Sequence, residues 1–192
     1  TQANEETGRL WDCYGIGDAA SLESEIWLTN AAWDLHRWQE AIQMIKTYHQ
    51  AHPLEPSANL QFAKHYIKLN ERQQICDLLE CSRNSAWSLS IPSDIQPAVM
   101  NALQIASLAA NSWEPTYWLA RAKAVFELNQ ENLESLAKIQ PAFEDGAPYA
   151  MGLWKSNQKD KILQLINSFP PTPALYLLAA LSCVNIDNEK AI

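Results

Sequence analysis

Ala41 and Ile75 lie 34 residues apart, and the chain around each position opens a segment of helical length with a similar residue pattern. The first segment runs from Trp38 to Pro53, and the second begins at Arg72, after residues 69–71. A fixed period in this range is typical of stacked helical hairpins, because one hairpin cannot bury its apolar face alone. The spacing therefore predicts a helical repeat protein, which limits the possible folds more than any other feature of the chain.

The composition favours helices over strands. Hydrophobic residues make up 47% of the 192 residues and charged residues 19%, which is typical of a folded chain. Alanine and leucine are abundant, and the chain contains only three valines. Strands are rich in β-branched and aromatic residues, and we find no convincing stretch that alternates apolar and polar positions. The sequence therefore predicts an all-α fold.

Prolines divide the chain into helical segments, since they fall between apolar stretches or in the first turn of one. Asn70 and Gln73 have the spacing of a helix-capping pair, which predicts a helix start there. Short connections predict that paired helices are antiparallel neighbours. We predict a partly irregular lead-in over 1–20 and one helical-repeat domain over 21–192. The predicted helices are 21–36, 39–51, 57–69, 72–82, 95–111, 115–128, 131–139, 147–156, 158–168 and 173–184.

These positions resemble the tetratricopeptide repeat, a family with small residues on its packing faces and a proline closing each unit. In the first copy the matching residues are Leu28, Ala32, Trp38, Ala41, Ile45 and Pro53. In the second they are Phe62, Ala63, Tyr66, Ile75 and Leu79. Two looser copies contain Trp118, Ala122, Val125, Leu133 and Leu136, and then Ala150, Leu153, Ile162 and Ile166. Segment 83–94 fits no copy, and the sequence leaves open whether it is a loop or a short helix.

The resemblance implies a right-handed α-solenoid of about ten helices, in which the first helix of each hairpin lines a concave face. A protein or peptide partner would dock on that face, next to aromatic anchors and lysines. The positions that the family pattern places there, and that we predict to bind the partner, are Asn30, Trp33, Asp34, Lys64, Lys68, Lys123, Phe126 and Trp154.

The end of the chain resembles the start of a further second helix, from Glu189 to Ile192. This pattern predicts an incomplete last repeat and a chain that is a fragment of a longer protein. It also predicts that the apolar face of Leu175, Leu178 and Leu181 lacks a partner within the chain. Self-association through this bared face is then open as an alternative.

The remaining features argue against several classes of function. A net charge of −8 makes nucleic acid a poor partner, because binding phosphates needs clustered Lys and Arg. The four cysteines have no zinc-site spacing, and His49 with His52 provides too few ligands for zinc. No cofactor motif is found, and no apolar run of eighteen residues predicts a membrane span. Scattered cysteines favour a reducing compartment such as the cytoplasm, although the location stays unknown.

The sequence thus predicts a module that binds another protein and catalyses no reaction, since no residues are paired for acid–base or nucleophilic chemistry. The alternative is a helical support or substrate-docking domain of a larger enzyme, such as a glycosyltransferase or a peptidase, whose catalytic part lies outside this chain. The identity of the partner does not follow from the sequence.

Overall fold

The computed structural model describes residues 29–35, 37–78, 91–92, 94–108, 113–139 and 146–190. These residues form helices joined by turns and short connections, without a strand among them, which confirms the all-α prediction. Most of the predicted segment 83–94 and the predicted lead-in over 1–20 lie outside the described residues.

Nine helical segments follow one another in the described part of the chain. They are α1 (residues 29–34), α2 (Trp38–Ala51), α3 (Pro56–Leu78), α4 (Ile95–Leu108), α5 (Trp113–Phe126), α6 (Gln130–Ile139), α7 (Ala147–Lys155), α8 (Lys159–Leu165) and α9 (Pro173–Lys190). Helices α2, α5, α6 and α7 begin and end within two residues of their predicted bounds.

Helix α3 corrects the prediction of two helices over 57–69 and 72–82, because the chain is helical without a break from Pro56 to Leu78. Residues 69–71 contain neither glycine nor proline, so nothing there stops a helix. The Asn70 side chain does not cap a helix start, since its Oδ1 accepts a hydrogen bond from Gln74 Nε2, one turn later, at 2.7 Å. The predicted second hairpin therefore does not form.

Helix α9 corrects the prediction of an unpartnered C-terminal face. It contacts α7 and α8, and Leu175 and Leu178 are buried in a shared core with Leu153 and Ile162. Glu189 and the residue after it belong to the backbone of α9 and do not open a new helix. Two of the three leucines of the predicted face are therefore covered within the chain, and self-association through it stays a prediction.

The chain divides into two compact units. The first comprises Thr1–Tyr66 and Pro97–Ala110, and the second comprises Ile67–Gln96 and Asn111–Ile192. The single repeat domain over 21–192 stays a prediction.

In the first unit, the turn between α2 and α3 is held by the buried amide of Asn59. Its Nδ2 donates to the carbonyl oxygens of Pro53 at 2.9 Å and Glu55 at 2.8 Å. Its Oδ1 lies 3.0 Å from Nε2 of His49, whose ring stacks on Phe62 with centroids 4.2 Å apart. Because both amide hydrogens are already donated, the Asn59 oxygen accepts, and Nε2 of His49 carries the proton.

Asn59→Asp is expected to lower the free energy of unfolding by about 2 kcal/mol. The aspartate has the same shape, but it cannot donate to the two turn carbonyls and instead faces their oxygens with a negative charge. Chemical unfolding of the purified protein measures the loss. Asn101→Asp, at an exposed position of α4, is the matched control and should change stability by less than about 0.5 kcal/mol. Equal losses in the two variants would contradict this account of the turn.

In the second unit, each helix from α5 to α9 packs against its neighbours along the chain. Helix α5 contacts α6, and α7 contacts α8. Helix α7 also contacts both helices of the preceding pair, and α9 contacts both α7 and α8. Helices α7 and α9 are therefore each covered by two helices that precede them in the chain.

The second half of α3 runs alongside α5 in the same direction. Lys68 lies over Trp118, Glu71 pairs with Arg121, and further along both helices Gln74 Nε2 donates to the carbonyl oxygen of Val125. Since these contacts advance together along the two helices, α3 and α5 are parallel here. This alignment brings the charged side chains of Glu71 and Arg121 together.

Candidate functional site

A buried ion pair joins α3 and α5 in the second unit. Arg121 Nε and Nη2 donate to the two carboxylate oxygens of Glu71 at 2.6 and 2.7 Å, and Nη1 donates to the Tyr117 hydroxyl at 2.9 Å. The Arg121 side chain is 5% exposed and that of Glu71 is 11% exposed. This bidentate geometry is the strongest form of the interaction, and it uses all three guanidinium nitrogens.

Aromatic rings and a lysine surround this ion pair. The guanidinium carbon of Arg121 lies 4.6 Å from the ring centroid of Trp118, and Lys68 Nζ lies 5.8 Å from the same centroid. Tyr117 and Trp118 meet edge to face with centroids 5.5 Å apart. Each cation is thus placed where the electron-rich face of an indole stabilises it.

The charge of Arg121 is set by its burial and by two neighbouring groups. Burial alone would lower the pKa of Arg121, but the Glu71 carboxylate and the Tyr117 hydroxyl outweigh it and raise that pKa above its usual value. The guanidinium therefore stays charged at any physiological pH, and both carboxylate oxygens of Glu71 are engaged. We conclude that the cluster fixes the register of α3 against α5.

Trp154, one of the predicted partner-binding residues, lies near the end of α7 and is half-buried. Its ring packs against the core shared by α7, α8 and α9, and Lys159 Nζ lies 4.6 Å from its centroid. This corner of the second unit places a half-buried tryptophan beside a lysine, and tryptophan is enriched among the residues that dominate binding energy at protein interfaces.

The eight predicted partner-binding residues are divided between the two units. Asn30 and Asp34 are exposed, while Trp33 is half-buried and meets His65 edge to face at 5.4 Å between ring centroids. These three residues lie in the first unit with Lys64. The other four lie in the second unit, where Lys123 is exposed and where Lys68, Phe126 and Trp154 are half-buried.

The contacts seen for these predicted residues involve partners outside the predicted set. Trp33 meets His65 in the first unit, and in the second Lys68 lies over Trp118. Lys68 thus contributes to packing around the buried ion pair. A substitution at Lys68 would therefore change the core as well as the surface, which makes it a poor probe of binding.

The residues that organise the second unit, above all Glu71 and Arg121, were not predicted from the sequence. One signal was present for Arg121. It follows Tyr117 by four residues and Trp118 by three, so it falls on the apolar face of α5, where a charge needs a buried partner. Nothing in the sequence identifies that partner, because Glu71 lies 50 residues away.

Two further findings concern metal binding and membrane insertion. In the described ranges, no three His, Cys, Asp or Glu side chains come together in a group that could hold a metal ion. The helices of that same part of the chain include none with the length and apolar character needed to cross a membrane.

No family model, no curated protein and no solved structure matches this chain. The resemblance to the tetratricopeptide repeat therefore stays a prediction that rests on the residues quoted for it.

Proposed function

We propose that this chain is a protein-binding module, in which α5 to α9 stack as a right-handed, tetratricopeptide-like α-solenoid that catalyses no reaction. The observation that carries the proposal is the packing of α7 against both helices of the preceding hairpin and against α8 and α9. Stacked hairpins bury one another in this way and leave one face of their first helices for a partner.

The spacing of the helices adds support. Helix α5 begins at Trp113, and α7, the first helix of the next hairpin, begins 34 residues later at Ala147. This is the period expected for tetratricopeptide units. The long helix α3 has no place in such a pattern, so the proposal for the solenoid is limited to the second unit.

The proposed docking face comprises Lys123 and Phe126 on α5 and Trp154 on α7. Lys123 is exposed, whereas the two aromatic side chains are half-buried. Half-buried aromatic residues lose little further entropy on binding, and they are enriched among residues that dominate binding energy. Lys68, on the part of α3 that belongs to the second unit, stays a candidate for contacts at the edge of a partner.

The test is capture of partners from a lysate of the source cells with the double variant Trp154→Ala and Lys123→Glu. A protein that binds the unchanged chain should bind the variant at least tenfold more weakly, since loss of one aromatic anchor alone costs about 1–2 kcal/mol. Lys138→Glu is the control, because Lys138 is an exposed lysine near the end of α6. Because Trp154 also packs against the core, chemical unfolding verifies that each variant is still folded at the temperature of the binding experiment.

The outcome separates the two functions considered from the sequence. A captured protein that is lost with the double variant and retained with Lys138→Glu supports a binding module. Capture that is equal for all three chains would refute the proposed docking face. A chain that captures no protein would instead favour a support domain of a larger enzyme.

A further inference from the structure

The turn between α7 and α8 is rigidly closed by backbone hydrogen bonds. The Gln158 N–H donates to the Leu153 carbonyl at 2.8 Å, and the Asn157 N–H donates to the Trp154 carbonyl at 3.0 Å. Asn157 has a positive φ of 58°. Together these features form a Schellman motif, in which a left-handed residue ends the helix and satisfies its last carbonyl groups. The residues that flank the turn are therefore presented on a fixed backbone.

Three lysines lie at the end of α7 and the start of α8: Lys155, Lys159 and Lys161. Lys159 Nζ lies over the ring of Trp154, and Lys161 Nζ donates to Gln158 Oε1 at 2.6 Å. The Gln158 side chain in turn donates to Gln130 Oε1 on α6 at 2.7 Å. Two of the three ammonium groups are thus held by neighbours before any partner binds.

The charge around this corner differs from that of the chain as a whole. The full sequence has 14 basic and 22 acidic residues, yet residues 155–161 contain three lysines and one acid, Asp160. Asp77, at the end of α3, also interacts with Lys155. Glu134 on α6 is a third acid beside this corner, because its Oε1 accepts a hydrogen bond from Gln130, the partner of Gln158. The three lysines thus balance the nearby acids in a chain of net charge −8, so the corner is less acidic than the chain as a whole.

The environment of Lys155 also favours an anion. Desolvation lowers the pKa of Lys155, and the attraction of Asp77 only opposes this effect. A further carboxylate at this place would stabilise the charged ammonium group, as opposite charges do at short range.

We propose that the corner formed by Trp154, Lys155, Lys159 and Lys161 binds an acidic segment of a protein partner, with an apolar side chain of that segment against the exposed part of the half-buried Trp154 ring. This inference rests on the proposed function and specifies the chemistry of the partner. The carboxylates pair with lysines that are already positioned, so less side-chain entropy is lost on binding. The apolar contact adds affinity that charge alone does not supply at physiological salt.

The test measures fluorescence anisotropy of a labelled peptide of glutamates with one central phenylalanine. The same peptide with lysines in place of glutamates is the reference. The acidic peptide should bind more tightly than the basic one, despite the net negative charge of the protein. Lys159→Gln should weaken its binding about fivefold to tenfold at low salt, whereas Lys138→Gln, which removes the same charge from α6, should change it less than about twofold.

Three outcomes would overturn the inference: tighter binding of the basic peptide, equal effects of the two substitutions, or tighter binding of a labelled single-stranded oligonucleotide of equal charge. A protein captured from lysate that depends on Trp154 and Lys123, but not on Lys159, would leave the proposed function standing and refute the acidic partner. Failure to capture any protein would count against the proposed function itself.

Discussion

Glu71→Gln lowers the free energy of unfolding by about 3–5 kcal/mol, the largest loss that we expect from a single polar substitution in the second unit. The glutamine fits the same space but has no charge, so the buried Arg121 guanidinium loses its counter-ion. Arg121 keeps its hydrogen bond to Tyr117 and its contact with Trp118, but neither supplies the negative charge of a carboxylate. Chemical unfolding, followed by circular dichroism, measures the effect.

The chain contains a matched control for this substitution. Arg37 and Glu40 form an ion pair at 2.6 Å, but their side chains are 34% and 40% exposed, so water stabilises either charge alone. Glu40→Gln should therefore cost less than about 1 kcal/mol. The double variant Glu71→Leu with Arg121→Met removes both buried charges and should be more stable than Glu71→Gln. A loss of the same size for the buried and the exposed pair would contradict the structural role assigned to Arg121.

Gly152→Ala is the second large effect that we expect, and its sign is unusual. In most helices this change stabilises the protein by roughly 0.5–1 kcal/mol. In α7, however, a Cβ atom at position 152 would overlap Cδ2 of Leu133, which is fully buried on α6. Overpacking of this kind costs about 1–3 kcal/mol, so the variant should unfold at a lower denaturant concentration.

The overlap can be tested by shortening the side chain that causes it. Leu133→Val alone should destabilise the protein, but combined with Gly152→Ala it should cost less than the sum of the two single changes, by about 1 kcal/mol. Additive losses, or a stabilising Gly152→Ala, would show that α6 and α7 do not approach as closely as the structure indicates.

Helix positions were largely predictable where the sequence contains its own stop signals. The end of α2 was predictable from Pro53. The start of α7 was predictable from Pro148, and its end from the polar residues after Lys155. The 34-residue period led to the prediction of a turn at residues 69–71. No residue there disfavours a helix, and α3 is continuous through these positions. Local sequence therefore located helices better than the family pattern did.

Tertiary contacts were much less predictable than helices. The pairing of Glu71 with Arg121 depends on α3 and α5 lying side by side, and a single sequence contains no record of that alignment. The close approach at Gly152 depends in the same way on the packing of α6 against α7. The partner-binding positions could be named only through the resemblance, and binding experiments are needed to test them.

Helix α7 has nine residues, and it contains a glycine at a position where alanine would favour a helix. A helix this short is unstable in water when isolated, so α7 has to form together with the neighbours that bury it. It contacts α5, α6, α8 and α9, and its exchangeable amide protons are therefore expected to become protected late in folding. Once α7 is in place, opening it would require several neighbours to separate, so a short helix of low local propensity would become one of the slowest to exchange with solvent.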